Sequence, residues 1–221
     1  DAPSALTLTA SVAGKRPEVG LKIAVNTQGI LNPAKQSFTF KALDAKLSGF
    51  ADKLRDLDVT VSGDLAVDGA RHLVDVKDFR VQGKGNLDRD ALSLQLAAPR
   101  VEVTLSKAAG SAITANLKIA GAQRSVNAAL EVAALSGSPS ALAISSAKFD
   151  LDASAEGNVV KAQVSTPLSA NLVAKSWDLS KIMANITLSG PMIPQKTVTV
   201  PIQAAFKADL GKQTVAAEMS S

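Results

Sequence analysis

Residues 197–210 read TVTVPIQAAFKADL. Every second residue is apolar: Val198, Val200, Ile202, Ala204, Phe206, Ala208 and Leu210. Between them stand Thr199, Pro201, Gln203, Ala205, Lys207 and Asp209. Alternation with a period of two predicts one long strand with an oily face and a wet face. Fully extended, such a stretch spans roughly 43–47 Å, about twice an ordinary sandwich strand. Pro201 falls on the wet row, has no N–H to donate, and points to an edge or a bulge. The fold turns on what covers the oily face.

The same alternation recurs along the chain. It runs through Leu6 and Leu8, through Val19, Leu21, Ile23 and Val25, and through Phe38 and Phe40. In LDVTVSGDLAVDG, Leu57, Val59, Val61, Leu65 and Val67 share one parity, and Asp56, Asp58, Thr60, Ser62, Asp64 and Asp68 the other. Leu92 to Leu96, Val101 to Leu105, Ile113 to Ile119 and Val126 to Val132 continue it. The second half adds Phe149 and Leu151, Val160 to Val164, Leu168 to Ala174, Ile182 to Leu188 and Val215 to Met219. Gly-, Pro- and Asn-rich turns such as AGKRP, TQGILNP and SGPMIP separate the runs. Regular spacing of this kind predicts about thirteen strands, paired antiparallel across short turns. In HLVDVKDFRV the parity slips between Val76 and Phe79, which calls for a bulge near Lys77 or two short strands. Helix signals are confined to FADKLRDL (50–57) and the start of SWDLSKIMA (176–184). The chain reads as one β domain over 1–221, with SGSPS at 136–140 as a long turn between halves 1–135 and 141–221.

Apolar residues make up 46% of the chain but aromatics only 3%, so Ala, Leu, Val and Ser must fill its interior. There is no Cys, which removes disulfides and thiol chemistry. The net charge of +4 is scattered, unlike the concentrated basic stripe of a nucleic-acid binder. The longest uncharged run, Val132 to Ala147, is 16 residues broken by SGSPS, too short to span a bilayer. DAPSALTLT already reads as strand, and the chain reads as a piece of something longer.

Catalytic and metal-binding patterns are missing. His72 is the single histidine and stands beside Arg71 in a turn, without Cys or a second His to complete a zinc set. Asp56, Asp58, Asp64 and Asp68 lack calcium-loop spacing and read as the wet side of a strand. GKGN at 83–86 lacks the phosphate-loop pattern, and the sequon at Asn185 falls mid-strand. No nucleophile–base pair is recognisable. Trp177, the only tryptophan, reads as core packing or an edge plug, or as a headgroup-level anchor. The expectation is a protein that is not an enzyme and carries no cofactor or metal.

A half-apolar antiparallel sheet buries its oily face in one of three ways: a sandwich, a closed barrel, or an open trough around a ligand. Few aromatics and no Tyr argue against an outer-membrane barrel, which needs aromatic girdles. Ala162, Ala170, Ala174, Ala184, Ala204 and Ala208 leave room along the oily face, which suits a lipid-lined groove or tight sheet-on-sheet packing.

The order of pieces in the C-terminal third resembles the AsmA family of Gram-negative envelope proteins. A strand with Asp and Leu (AKFDLDASAEGN) leads to a strand ending in SANL. An SGP turn, the long strand VPIQAAFKADL and a KQ turn into a closing strand follow. VTVSGDLAVDG and GNLDRDALSLQL are similar to that family's middle region. The resemblance implies a periplasmic β domain whose full-length protein is held in the inner membrane by a helix absent from this chain. Larger relatives are thought to form β troughs that conduct phospholipids to the outer membrane.

The expected fold is therefore an all-β curved sheet or open trough of long antiparallel strands, with a β-sandwich as the alternative. The expected ligand is phospholipid or another acyl-chain lipid lying on Ile182, Ile186, Leu188, Val198, Val200, Ile202, Ala204, Phe206, Ala208 and Leu210. Envelope proteins are the expected macromolecular partners, and nucleic acid is not expected. The alternative function is a structural or adhesin-like module with a dry core.

Overall fold

The computed structural model describes residues 4–191, 193 and 196–220. Fifteen strands and one short 3-10 turn account for most of them, and turns and short connections for the rest. The strands are β1 (Ser4–Lys15), β2 (Glu18–Asn32), β3 (Ser37–Ala51), β4 (Leu54–Asp68) and β5 (Leu73–Leu87). Next come β6 (Asp90–Val103), β7 (Ala108–Gly110), β8 (Ile113–Ala120), β9 (Arg124–Val132) and β10 (Leu135–Ser138). The last five are β11 (Ala141–Ala155), β12 (Asn158–Asn171), β13 (Ser176–Ser189), β14 (Thr197–Asp209) and β15 (Thr214–Ser220). All belong to one antiparallel sheet that is not closed, with β1 and β15 at its edges. Thirteen strands follow one another in chain order across it, while β7 and β10 pair only with β6 and β11. The sandwich alternative does not form, because no second sheet exists among the described residues. The two halves either side of 136–140 are not separate, since β9 pairs directly with β11.

Both helix expectations are overturned. Phe50 and Ala51 end β3, a two-residue turn follows, and Leu54 already opens β4. Residues 176–184 are strand throughout, with an irregularity between Leu179 and Ile182. In each case alternation continuing on both sides outweighs a weak local helical spacing, because pairing satisfies every backbone group along the strand.

Bulges reconcile the parity slips. Between Ser62 and Asp64 the register of β4 with β5 shifts by one, and Asp78 takes a left-handed φ of 49°. Val74, Val76, Phe79 and Val81 thereby reach the same face. β6 changes parity alongside: Phe79 pairs with Ala98, Val76 with Val101, and Asp78 and Pro99 fall in the step between. The same device carries β3 from Phe40 to Leu43, β11 from Ile144 to Ala147 and β13 from Leu179 to Ile182. A one-residue slip would otherwise turn every later apolar side chain to water.

Strand prolines sit where the ladder is already broken. Pro167 of β12 falls inside the irregular steps toward both β11 and β13. Pro99 of β6 lies between the stretch paired with β8 and the stretch paired with β7. Pro201 lies in the part of β14 that pairs with β13 but not with β15, an edge position as its sequence context predicted. Thr27, buried at the bulge between β2 and β3, donates its hydroxyl to the Lys41 carbonyl at 3.0 Å. Register is reinforced on the wet face by opposite charges placed directly across: Asp58 with Lys84 (3.3 Å), Asp152 with Lys161 (3.3 Å) and Asp178 with Lys207 (3.1 Å). Exposed pairs of this kind contribute about 0.2–1 kcal/mol each.

Candidate functional site: an uncovered apolar face

Residues directly opposite in an antiparallel ladder project to the same side, so the register traces each face across the sheet. One transverse row runs through Leu8, Val25, Ala45, Val61, Val81 and Leu96. It continues through Ala115, Leu130, Phe149, Val164, Ala184 and Ile202. Twelve strands contribute, and every residue is apolar. At about 4.8 Å per strand the row is about 53 Å long. The row one residue along the same strands includes Thr9, Lys46, Thr60, Gln82, Gln95 and Asn116, then Asp150, Gln163 and Asn185. With Ala24, Ala129 and Pro201 as its other members, that row is polar at nine of twelve positions, so the two faces differ in chemistry across the sheet.

Nothing in the described chain covers the apolar face. Its residues are mostly half-buried by their own neighbours, and Leu8, Val12, Leu94, Leu130 and Phe149 are exposed. Among the described residues the buried apolar side chains are three alanines, Ala98, Ala108 and Ala170, and no large side chain is fully enclosed. The accessible surface is 14121 Å². A compact globular chain of this mass exposes about 9,500 Å². The excess is what a single-layer sheet must show.

Nine of the ten residues expected to line a groove share this face. Ile182, Ala184, Ile186 and Leu188 of β13 stand opposite Ala204, Ile202, Val200 and Val198 of β14, with Phe206 opposite Leu179 and Ala208 opposite Trp177. Leu210 does not join them. It follows the last residue of β14, in the turn to β15, and is exposed. Trp177 lies between Ala170 and Ala208 in the register, and Ala170 beside it is buried. His72 occupies the turn between β4 and β5, and Asn185 lies mid-strand in β13.

Sequence reasoning missed the hollows of the sheet. A depression of about 890 Å³ lies over β6, β8, β9 and β11–β13, lined by Gln95, Asn116, Asn127, Asp150, Gln163 and Asn185 among others. A second depression, of about 610 Å³, lies at β11–β15 and is lined by Ala170, Trp177 and Ala208 as well as by Ser176, Asp178 and Lys207. A twisted sheet is saddle-shaped, so each face is hollow along one diagonal. No alternation pattern carries that information. The dish presents amides, hydroxyls and paired charges, with no aromatic ring and no His among its lining. No group of three or more potential metal ligands occurs among the described residues.

Among the described residues two titratable groups are displaced. Arg124, held by Asp90 and flanked by Asp88 at 3.6 Å, has its pKa raised first by the hydrogen bond to Asp90. The Asp209 carboxylate is held below the ordinary aspartate range, first by the hydrogen bond it accepts from the Lys212 amide at 2.9 Å. A depressed carboxylate stabilises the fold above its unfolded pKa of about 3.9, and that contribution disappears as pH falls through the lower folded value. The β14–β15 turn is therefore expected to stay closed at neutral pH and to loosen only in strong acid. A carboxyl titration of Asp209 by NMR checks this, and a midpoint at or above the ordinary value would contradict it.

Comparison of the chain with protein-family models, with curated proteins and with solved structures gives no match.

Proposed function

We propose that this protein is a non-enzymatic lipid-binding module of the AsmA kind, a periplasmic piece of an envelope protein anchored in the inner membrane. Acyl chains of phospholipid lie across the apolar face, and headgroups stay in solvent at its margin. The observation that carries the reading is the twelve-strand apolar row with no covering layer. Each methylene taken from water contributes roughly 0.8 kcal/mol, so an acyl chain along such a row gains several kcal/mol without any specific contact. The lining is aliphatic and rich in alanine, which favours sliding over selective capture. Movement between inner and outer membrane then needs no covalent step, and other envelope proteins would extend the path.

The test is lipid extraction from the purified protein followed by mass analysis, repeated on delipidated protein incubated with phospholipid. Phospholipid recovered at a reproducible ratio to protein supports the proposal. Protein that remains lipid-free in both preparations rejects it and returns the chain to a structural or adhesin-like module whose oily face is covered by another protein surface.

A further inference from the structure

The two ends of the strands differ. At the end where β3–β4, β5–β6 and β11–β12 turn, those three tips are Asp52–Lys53, Asp88–Arg89 and Glu156–Gly157, with no Leu, Ile or Val, while the β13–β14 connection at the same end carries Pro191 and Ile193. At the other end three tips carry bare aliphatic side chains, while the β2–β3 turn at 33–36 and the β4–β5 turn at 69–72 carry none. Leu172 and Val173 in the β12–β13 turn are 44% and 74% exposed, and Leu210 in the β14–β15 turn is 56% exposed. Each lies two or three residues before a lysine, Lys175 or Lys212. The β6–β7 connection repeats the pattern with Leu105, 70% exposed, and Lys107.

The first two turns form one corner. The Leu210 amide donates to the Lys175 carbonyl at 3.0 Å, and the Leu172 amide donates to Pro139 of the next turn at 2.7 Å. Inside each turn a side-chain carbonyl or carboxylate holds the backbone: Asn171 accepts from the Ala174 amide at 2.8 Å, as Asp209 does from Lys212. The exposed aliphatics are thus presented on a braced edge. Lys212 leans on Asp209 at 3.4 Å, while the Lys175 ammonium makes no ion pair among the described residues. Trp177, half-buried, stands two residues into β13 from Lys175, on the apolar face.

Aliphatic tips, lysines just behind them and a tryptophan one step deeper into the protein are the ingredients of an interfacial anchor. The aliphatics enter the acyl boundary, the lysine stems lie along it with their ammonium groups at phosphate, and the indole sits at headgroup level. We infer that the corner built by Leu172, Val173, Leu210, Lys175 and Lys212 docks the sheet on the surface of an anionic phospholipid bilayer. This goes beyond lipid held on the apolar face and does not require it. A corner that touches a bilayer would also place the mouth of that face against the source of its lipid.

The experiment uses the whole, delipidated chain with phosphatidylcholine vesicles, with and without phosphatidylglycerol. Pelleting reports vesicle binding, and Trp177, the only tryptophan, reports insertion by its emission shift and by quenching from headgroup-proximal brominated lipid. The expected result is binding that strengthens with phosphatidylglycerol, with blue-shifted and quenched emission. Val173→Asp combined with Leu210→Asp should weaken partition about tenfold or more while circular dichroism is unchanged. Lys175→Gln with Lys212→Gln should remove the preference for phosphatidylglycerol. Val173→Ser with Leu210→Ser serves if the aspartates disturb folding. Undiminished pelleting in the folded turn variants, or no binding to phosphatidylglycerol vesicles, overturns the inference. Lipid occupancy of the apolar face is read separately in lipid extracts, so failure of one reading is distinguishable from failure of the other.

Discussion

Ala184→Asp is expected to abolish the proposed phospholipid binding, while Gln203→Asp is expected to leave it in place. Ala184 sits in the middle of the apolar row, opposite Val164 on one side and Ile202 on the other. A carboxylate there projects under any acyl chain lying across the sheet, and its neighbours across the ladder, Val164 and Ile202, offer no charge to pair with. Removing such a charge from water costs several kcal/mol, so occupancy should fall roughly a hundredfold. The small Ala side chain leaves room for the new group, and the face is open, so the apo protein should still fold. Gln203 lies on β14 opposite Met183, on the wet face, where a carboxylate stays hydrated. Lipid-to-protein ratios by mass analysis decide between outcomes. Equal lipid on both variants would mean that lipid lies elsewhere. A change in oligomeric state with no lipid in either variant would mean that a protein surface covers the row.

Gly49→Ala is expected to destabilise the fold by about 3 kcal/mol, through backbone strain and a collision together. Gly49 has a φ of 131°, a region essentially closed to residues with a Cβ. A Cβ built there would land on the Gly20 carbonyl oxygen of β2, which is ladder backbone and cannot move aside. Gly14→Ala is the matching control: its Cβ would meet the Pro17 carbonyl at an ordinary 3.4 Å, and its φ is not in the left-handed region. That substitution should be neutral or slightly stabilising, because alanine narrows the unfolded ensemble. The urea midpoints of the two variants should therefore move apart, Gly49→Ala losing a large part of a domain's usual 5–15 kcal/mol. Coincident midpoints would show that the register around Gly49 can relax.

The alternation in TVTVPIQAAFKADL specified more than its own strand. Because its neighbours repeat the pattern at similar length, the all-β class, the strand number near thirteen and the edge position of Pro201 were all legible. So was the shared face of Ile182 to Leu188 with Val198 to Ala208. Leu210 was misplaced because alternation cannot say where a strand stops: the residue keeps the parity but lies past the end of β14. The helical readings of 50–57 and 176–184 failed because spacing within eight or nine residues is ambiguous, whereas pairing partners on either side are not.

What the sequence determined alone is chemistry by parity: one oily and one wet side for each strand, with too few aromatics to girdle a membrane barrel. Tertiary structure decided how those sides align. Only the register shows that bulges at Asp78, between Ile144 and Ala147, and between Leu179 and Ile182 bring mismatched parities onto one continuous face. Only the pairing order shows that the sheet neither closes nor doubles back to cover that face. The physical reason is that alternation is local to a strand, while closure, curvature and the meeting of the turns at Lys175 and Leu210 depend on hydrogen bonds between segments far apart in the chain.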